Sequence, residues 1–180
     1  MTQALLLIDI QNDYFADGKW SLHNMEASAG KAAQVLQHAR ENGQLVVHVR
    51  HENIDEGAPF FVPETKGAEI HSSVAPLEGE PVVLKNQVNS FLQTNLKELL
   101  DENGIETLTI VGSMSHMCVD AVVRAASDFG YKVTVVEDAC ATHDIEFAGR
   151  TVSAPDAHAA FMFALSFAYA EVKTTAEYLG

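Results

Sequence analysis

The sequence predicts an α/β domain in which a parallel sheet is covered on both faces by helices. Three observations carry this. Short, continuous apolar runs recur along the chain without the in-out alternation of a half-wet sheet, as strands buried on both faces require. Between them lie stretches of helical period, the crossovers that parallel strands need. The chain has 180 residues, 47% hydrophobic and 20% charged, with no Pro/Gly/Ser-rich linker, internal repeat or low-complexity tract. A single domain over residues 1–180 with one core is the expectation at that length and composition.

The first strand is residues 5–8, all apolar. Residues 26–42 carry Ala29, Ala32, Ala33, Leu36 and Ala39 on one helical face and stop at Gly43, a residue suited to the position just past a helix. The second and third strands are residues 44–50 and 81–85. Leu92, Leu96, Leu99 and Leu100 predict a helix over 91–103, ending before Gly104, and the fourth strand follows at 107–111. Val119, Val122, Val123, Ala126 and Phe129 mark a third helix, closed by Gly130, before a fifth strand at 132–137. Pro155, tolerated in a first helical turn, opens a fourth helix that runs through Phe167. Residues 171–175 read as a sixth, edge strand. Two segments, 11–25 and 51–80, stay irregular. Long loops in compact domains serve as lids, binding loops or interfaces. Both leave the carboxyl ends of parallel strands, the side on which open α/β sheets bind ligands.

Twenty-five acidic residues against eleven basic ones give a net charge of −14. Such a surface repels a phosphate backbone and an anionic bilayer, so neither nucleic acid nor membrane is an expected partner. The N-terminus lacks a basic flank, so residues 5–8 read as a strand and not as a signal peptide. The longest apolar stretch, residues 159–170, is interrupted by Ser166 and too short to span a bilayer. Only two cysteines occur, Cys118 and Cys140, and a core of this size needs no disulfide, which points to the reducing cytoplasm.

Asp9 follows four apolar residues at the carboxyl end of the first strand, where a buried charge is costly unless something there needs it. Alone it reads equally as a cap or loop anchor. Lys85 ends the third strand, Val82-Val83-Leu84-Lys85, and alone reads as a strand-end lysine with its stem against apolar surface. Cys118 follows the fourth strand after the turn Gly112-Ser113-Met114-Ser115-His116-Met117 and opens a helix. A thiol there meets the positive end of the helix dipole, which favours a thiolate. Parallel topology brings all three to one edge of the sheet. Their combination points to nucleophilic catalysis by Cys118.

Three blocks occur in order along the chain: Leu5-Leu6-Leu7-Ile8-Asp9-Ile10-Gln11-Asn12-Asp13-Tyr14-Phe15, then Lys85 with Asn89-Ser90-Phe91, then Gly112 through Val119 with Arg124 beyond. Together they resemble the isochorismatase-like cysteine hydrolases, a family that includes nicotinamidases. The likeness extends to Val135-Val136-Glu137-Asp138-Ala139, nearly the whole chain. It implies a Rossmann-like, doubly wound three-layer α/β/α fold with a mainly parallel six-stranded sheet of order 3-2-1-4-5-6. It also implies a catalytic triad of Asp9, Lys85 and Cys118. A cis peptide at Ser113-Met114 would aim the Met114 N–H, with that of Cys118, at an oxyanion. Homodimers or homotetramers are implied as well, with residues 159–170 partly interfacial.

On this reading Asp9 takes the thiol proton, Cys118 attacks the amide carbonyl of a small-molecule substrate, and Asp9 protonates the leaving amine. Water then hydrolyses a thioester. Reference values near 8.5 for Cys and 3.9 for Asp differ by ~4.6 units, about 6 kcal/mol. Lys85 and the helix N-terminus are therefore expected to lower the thiol. Nicotinamidases carry an Asp-x-His metal motif after the second strand, whereas His48-Val49-Arg50-His51-Glu52-Asn53 lacks it. No metal and no cofactor is the expectation, with His51, His71 and Glu52 the residual candidate ligands. Tyr14, Trp20, Phe60 and Phe61, on the two irregular segments, are candidate pocket residues with Met114, His116 and Met117; the aromatics read equally as core or subunit contacts. Cys140, placed in a loop after the fifth strand, reads as structural.

Two rival functions stand beside this one. Vinyl-ether hydrolysis of the isochorismatase type belongs to relatives without the nucleophilic cysteine. A thiol redox-sensing or binding module would need an accessible low-pKa sulfur but no proton shuttle such as Asp9. No G-x-G-x-x-G or Walker sequence follows any strand, which leaves a nucleotide-binding reading unsupported.

Overall fold

The computed structural model describes residues 2–180. Its elements run β1 (Gln3–Ile8), α1 (Met25–Glu41), β2 (Leu45–His51), β3 (Val82–Lys85), α2 (Leu96–Glu102), β4 (Thr107–Ser113), α3 (Asp120–Asp128), β5 (Lys132–Ala141), β6 (Ile145–Phe147), β7 (Arg150–Val152), α4 (Ala154–Ala168), β8 (Glu171–Lys173) and α5 (Thr175–Leu179). Six strands form one sheet in the order β3-β2-β1-β4-β5-β8, and every pairing within it is parallel. β6 and β7 make a separate antiparallel hairpin. No helix among the described residues is long and apolar enough to cross a membrane.

Each face of the sheet has its own core, because successive side chains of a strand point to opposite sides. Leu6 and Ile8 of β1 pack with Leu96, Leu100, Val119, Val122 and Leu165 on the face covered by α2, α3 and α4. Leu5 and Leu7 pack with Ala29, Ala32, Val35 and Leu36 of α1 on the other. β1 lies at the centre, paired with β2 on one side and β4 on the other. Its carboxyl end thus lies between those of β2 and β4, inside the sheet's carboxyl edge.

The structure departs from the sequence expectation at three predicted elements and adds others. The helix expected over 91–103 begins only at Leu96. Before it, the Phe91 N–H donates to Asn89 Oδ1 at 3.0 Å, Thr94 Oγ1 donates to the Ser90 carbonyl at 2.6 Å, and Gln93 has φ +58°. Short polar side chains compete there with the helical ladder. β5 continues past Glu137 to Ala141 through a register shift against β4, in which Ile110 pairs with Val135 but Gly112 with Cys140. Cys140 is therefore a buried strand residue and not a loop residue; its sulfur donates to the Val136 carbonyl at 3.4 Å. The edge strand is shorter than the expected 171–175, ending at Lys173, because Thr174 caps α5. The hairpin of β6 and β7, turning at Ala148 (φ +51°) and Gly149 (φ +75°), and the short α5 are additional.

Candidate active site

Three strand ends and one turn build the site. Asp9 is the first residue past β1, with φ +50°, a conformation uncommon outside glycine. Its N–H still donates to the Val49 carbonyl of β2 at 3.0 Å, so the chain turns sharply while anchored. Lys85 ends β3, in register with His51 at the end of β2. Cys118 lies in a five-residue π-helical turn, Ser115–Val119, that leads into α3. Single π-turns of this kind concentrate at functional sites. The Ser113–Met114 peptide that precedes the turn is cis. Gly112, with φ +124°, passes so close to β1 that a Cβ there would stand 2.0 Å from the Ile8 carbonyl oxygen. Only glycine lets β4 deliver the turn beside Asp9.

The three side chains named from the sequence meet around one ammonium group. Lys85 Nζ lies 2.8 Å from Asp9 Oδ2, and it donates to Cys118 Sγ at 3.3 Å and to the Gln87 carbonyl at 3.1 Å. Asp9, Lys85 and Cys118 are 0%, 1% and 5% exposed. Burial pulls the Lys85 ammonium down, but Asp9 and then Cys118 outweigh it and hold it above its ordinary value. The thiol does not follow the expectation of a lowered value. Burial first, and then the Asp9 carboxylate, push it up to about 12 against the opposing pull of Lys85. Burial and the neighbouring carboxylate thus favour the protonated thiol over the thiolate in the resting site.

A fourth group, weighed in the sequence only as a residual metal ligand, completes the cluster. His51 Nδ1 accepts from Lys85 Nζ at 2.7 Å. Burial first, and then the Lys85 charge, lower the His51 imidazole and keep it neutral. Its backbone is clamped by the buried side chain of Gln11, whose Nε2 donates to the His51 carbonyl and whose Oε1 accepts from the His51 N–H, both at 2.8 Å. The signal was available: with β2 between β3 and β1, the last residue of β2 falls between Lys85 and Asp9.

An isochorismatase-domain family model matches residues 3–177. The chain belongs to the isochorismatase family. It is 52% identical over 181 residues to the isochorismatase family protein YddQ of Bacillus subtilis (strain 168), covering 99% of both chains. It is 38% identical over 145 residues to a streptothricin hydrolase of Streptomyces noursei, spanning 79% of this chain and 51% of that protein. Over 185 residues it is 29% identical to the maleamate amidohydrolase of Pseudomonas putida, spanning 95% of this chain and 82% of that one. The crystal structure of an isochorismatase hydrolase from Oleispira antarctica superposes with a TM-score of 0.96 at 57% identity, covering 99% of this chain and 96% of that one.

The metal ligands considered for this isochorismatase-family hydrolase do not converge. His48 is buried and bonded to Glu80 at 3.0 Å, and Arg50 is paired with Glu52. His71 stacks on Phe15 with ring centroids 3.6 Å apart and bonds to Ser73 at 2.9 Å. Among the described residues, the His, Cys and carboxylate side chains close enough to share an ion are Asp9, His51 and Cys118, with ligand atoms within 4.8 Å of one another. The Lys85 ammonium already touches all three, so a metal would be set against a fixed cation. The residues present do not fit the metal of the nicotinamidase branch.

Tyr14, Trp20, Phe60 and Phe61 of the two irregular segments form one cluster. Ring centroids separate Tyr14 from Phe61 by 4.5 Å, Phe61 from Phe60 by 4.9 Å and Phe60 from Trp20 by 4.9 Å. The row continues from Trp20 to His143 at 5.6 Å and on to His116 at 5.4 Å. Tyr14 and Phe61 are buried, whereas Trp20, Phe60 and His116 are partly exposed and Met117 is exposed. Burial, then the neighbouring Cys118, Asp9 and Asp13, push the Tyr14 hydroxyl well above its ordinary value. Asp13, not singled out in the sequence, ties the two segments together: its Oδ1 accepts from the Lys19 N–H at 3.2 Å and its Oδ2 from the Phe61 N–H at 2.7 Å. A hollow of ≈ 630 Å³ opens between the two segments and α1, and one of ≈ 370 Å³ between α1, the end of β5 and the start of α4; neither is lined by Asp9, Lys85 or Cys118. Chemistry, not concavity, marks the site.

Proposed function

We propose that the protein cleaves a C–N bond of a small amide, carbamoyl compound or lactam through an acyl-thioester on Cys118. The observation that carries this reading is the single ammonium shared by a buried carboxylate and a buried thiol, Lys85 with Asp9 at 2.8 Å and Cys118 at 3.3 Å. Asp9 takes the thiol proton as the sulfur attacks the carbonyl carbon, and Lys85 stabilises the sulfur as its negative charge develops. The tetrahedral oxyanion is held by the backbone N–H groups of Met114 and Cys118. Asp9 returns the proton to the leaving nitrogen and the C–N bond breaks. Water, activated by the same carboxylate, then hydrolyses the thioester and restores the thiol.

The raised thiol value supports proton transfer to Asp9 as the sulfur attacks, since burial and Asp9 disfavour a standing thiolate. It also weighs against a redox sensor, which needs an accessible thiolate. Streptothricin hydrolase and maleamate amidohydrolase, two relatives with named reactions, are hydrolases, and the second by name acts on an amide. Trp20, Phe60 and Tyr14 with Phe61, together with His116 and Met117, would line the acyl pocket. No metal or other cofactor enters the scheme.

The test is a panel of small amides, carbamoyl compounds and lactams, assayed for ammonia or amine release, with acid-quenched samples weighed by mass spectrometry. An acyl adduct on Cys118 is expected with the substrate turned over. Cys118→Ala should fold as the parent and lose turnover; full activity in that variant would end the proposal.

For assembly we propose self-association through α4. Residues 159–170 carry no charge on a chain of net charge −14, and Phe163 and Phe167 are 70% and 81% exposed there. Light scattering should report a dimer or tetramer that Phe163→Glu with Phe167→Glu dissociates.

A further inference from the structure

His51 holds two ring nitrogens in different circumstances. Nδ1 accepts from the Lys85 ammonium at 2.7 Å, and an ammonium can only donate. The proton of a neutral imidazole must then reside on Nε2. Among the described residues no partner bonds to Nε2; it is not among the buried unpartnered atoms, and His51 as a residue is only partly buried. A donor therefore faces accessible space on a ring whose backbone Gln11 fixes at both N–H and carbonyl. That ring stands beside the reacting groups, with a ligand atom within 4.8 Å of those of Asp9 and Cys118.

We propose that the His51 Nε2–H is a substrate-facing donor that selects amides bearing a hydrogen-bond acceptor on the acyl side, close to the scissile carbonyl. The inference rests on the reading of Cys118 as nucleophile. An acceptor roughly 3 Å from Nε2 falls a few bonds from a carbonyl carbon attacked by the sulfur. A carboxylate, ketone or second amide oxygen meets that requirement, and a plain alkyl chain leaves the donor unpaired. Nδ1 is occupied and Nε2 carries its proton, so His51 acts here as a donor and not as a base.

Two substitutions separate this role from support of Lys85. His51→Asn keeps an acceptor where Nδ1 lies and removes the outward donor; His51→Gln extends an amide N–H to the place of Nε2. The measurement is the ratio of kcat/KM for succinamate to that for butyramide, amides of the same length differing in a terminal carboxylate. The parent should prefer succinamate, His51→Asn should lower that ratio about 10- to 100-fold, and His51→Gln should restore part of it. A ratio unchanged in His51→Asn overturns the assignment, as does a parent with no preference, because a merely structural His51 would slow both amides alike. Should neither amide be hydrolysed, Cys118 alkylation still reads the donor. The rate ratio of iodoacetamide to iodoethane, followed by intact mass, should fall in His51→Asn. Constancy of that ratio overturns the proposal about His51, whereas absence of hydrolysis across the wider panel counts against the amide reading alone.

Discussion

Replacing Lys85 by methionine removes the ammonium at the centre of the site while keeping an apolar stem of similar length. The Lys85 and Asp9 side chains are both 0% exposed and their charged atoms are 2.8 Å apart. At an effective dielectric constant near 20, that separation corresponds to about 6 kcal/mol of attraction. Part of it only offsets the desolvation of both charges, so removal of one partner is expected to destabilise the fold by about 3–5 kcal/mol. The cost falls in that range because no backbone N–H, hydroxyl or amide among the described residues donates to the Asp9 carboxylate. The assay is urea unfolding followed by the fluorescence of Trp20, the one tryptophan in the chain. Adding Asp9→Asn to Lys85→Met should recover most of the loss, because the stranded charge disappears. A loss under about 1 kcal/mol in Lys85→Met, or a double variant no more stable than the single, would refute the claim that Asp9 is a buried charge balanced by this lysine.

Three further outcomes follow from the geometry. Gly112→Ala should prevent accumulation of folded protein, since its Cβ would stand 2.0 Å from the Ile8 oxygen at φ +124°; a soluble variant with the parent's circular dichroism and melting temperature contradicts the tight β1–β4 approach. Glu80 is held at about 2 by the hydrogen bonds of Arg40 first, against burial, with help from the Leu77 N–H and His48. Its folded value lies below the ordinary 4.5, so its contribution is present above that pH and lost as pH falls toward 2. With solvent screening it amounts to about 1–2 kcal/mol, and the stability gap between parent and Glu80→Gln should close on acidification; a gap constant with pH contradicts the pairing. Turnover should survive exhaustive chelation because Lys85 occupies the place of a cation, and activity lost to chelator and restored by zinc or iron would reverse that conclusion.

The fold was legible because strands buried on both faces cannot hide their apolar runs, and parallel topology then brings Asp9, Lys85 and Cys118 to one edge. Where side chains compete with the backbone, the periodicity misled: Leu92 fits the helical stripe of Leu96 and Leu100, yet Asn89 and Thr94 hold the preceding turn out of the helix. Cys140 was misplaced because a bulge in β5 leaves no mark in hydropathy. The state of the Cys118 thiol was misjudged for a different reason. Helix position and a neighbouring lysine can be read from a sequence, but the burial that outweighs them cannot. His51 was legible in position though not in role, since its partner on Nδ1 appears only once the strands are ordered.

Asp13 gives the two long loops a shared fate. One carboxylate fastens Lys19 of the first segment and Phe61 of the second, and Gly67 lies so near that a Cβ there would stand 2.2 Å from Asp13 Oδ1. Gly18 is pressed against the Asp13 carbonyl with equal closeness, its Cβ position being 2.3 Å away. The two segments are thus held together as one unit. Transplanting one loop from a relative with a different substrate should fail by misfit, whereas moving both with Asp13, Gly18 and Gly67 intact treats them as the cassette they form.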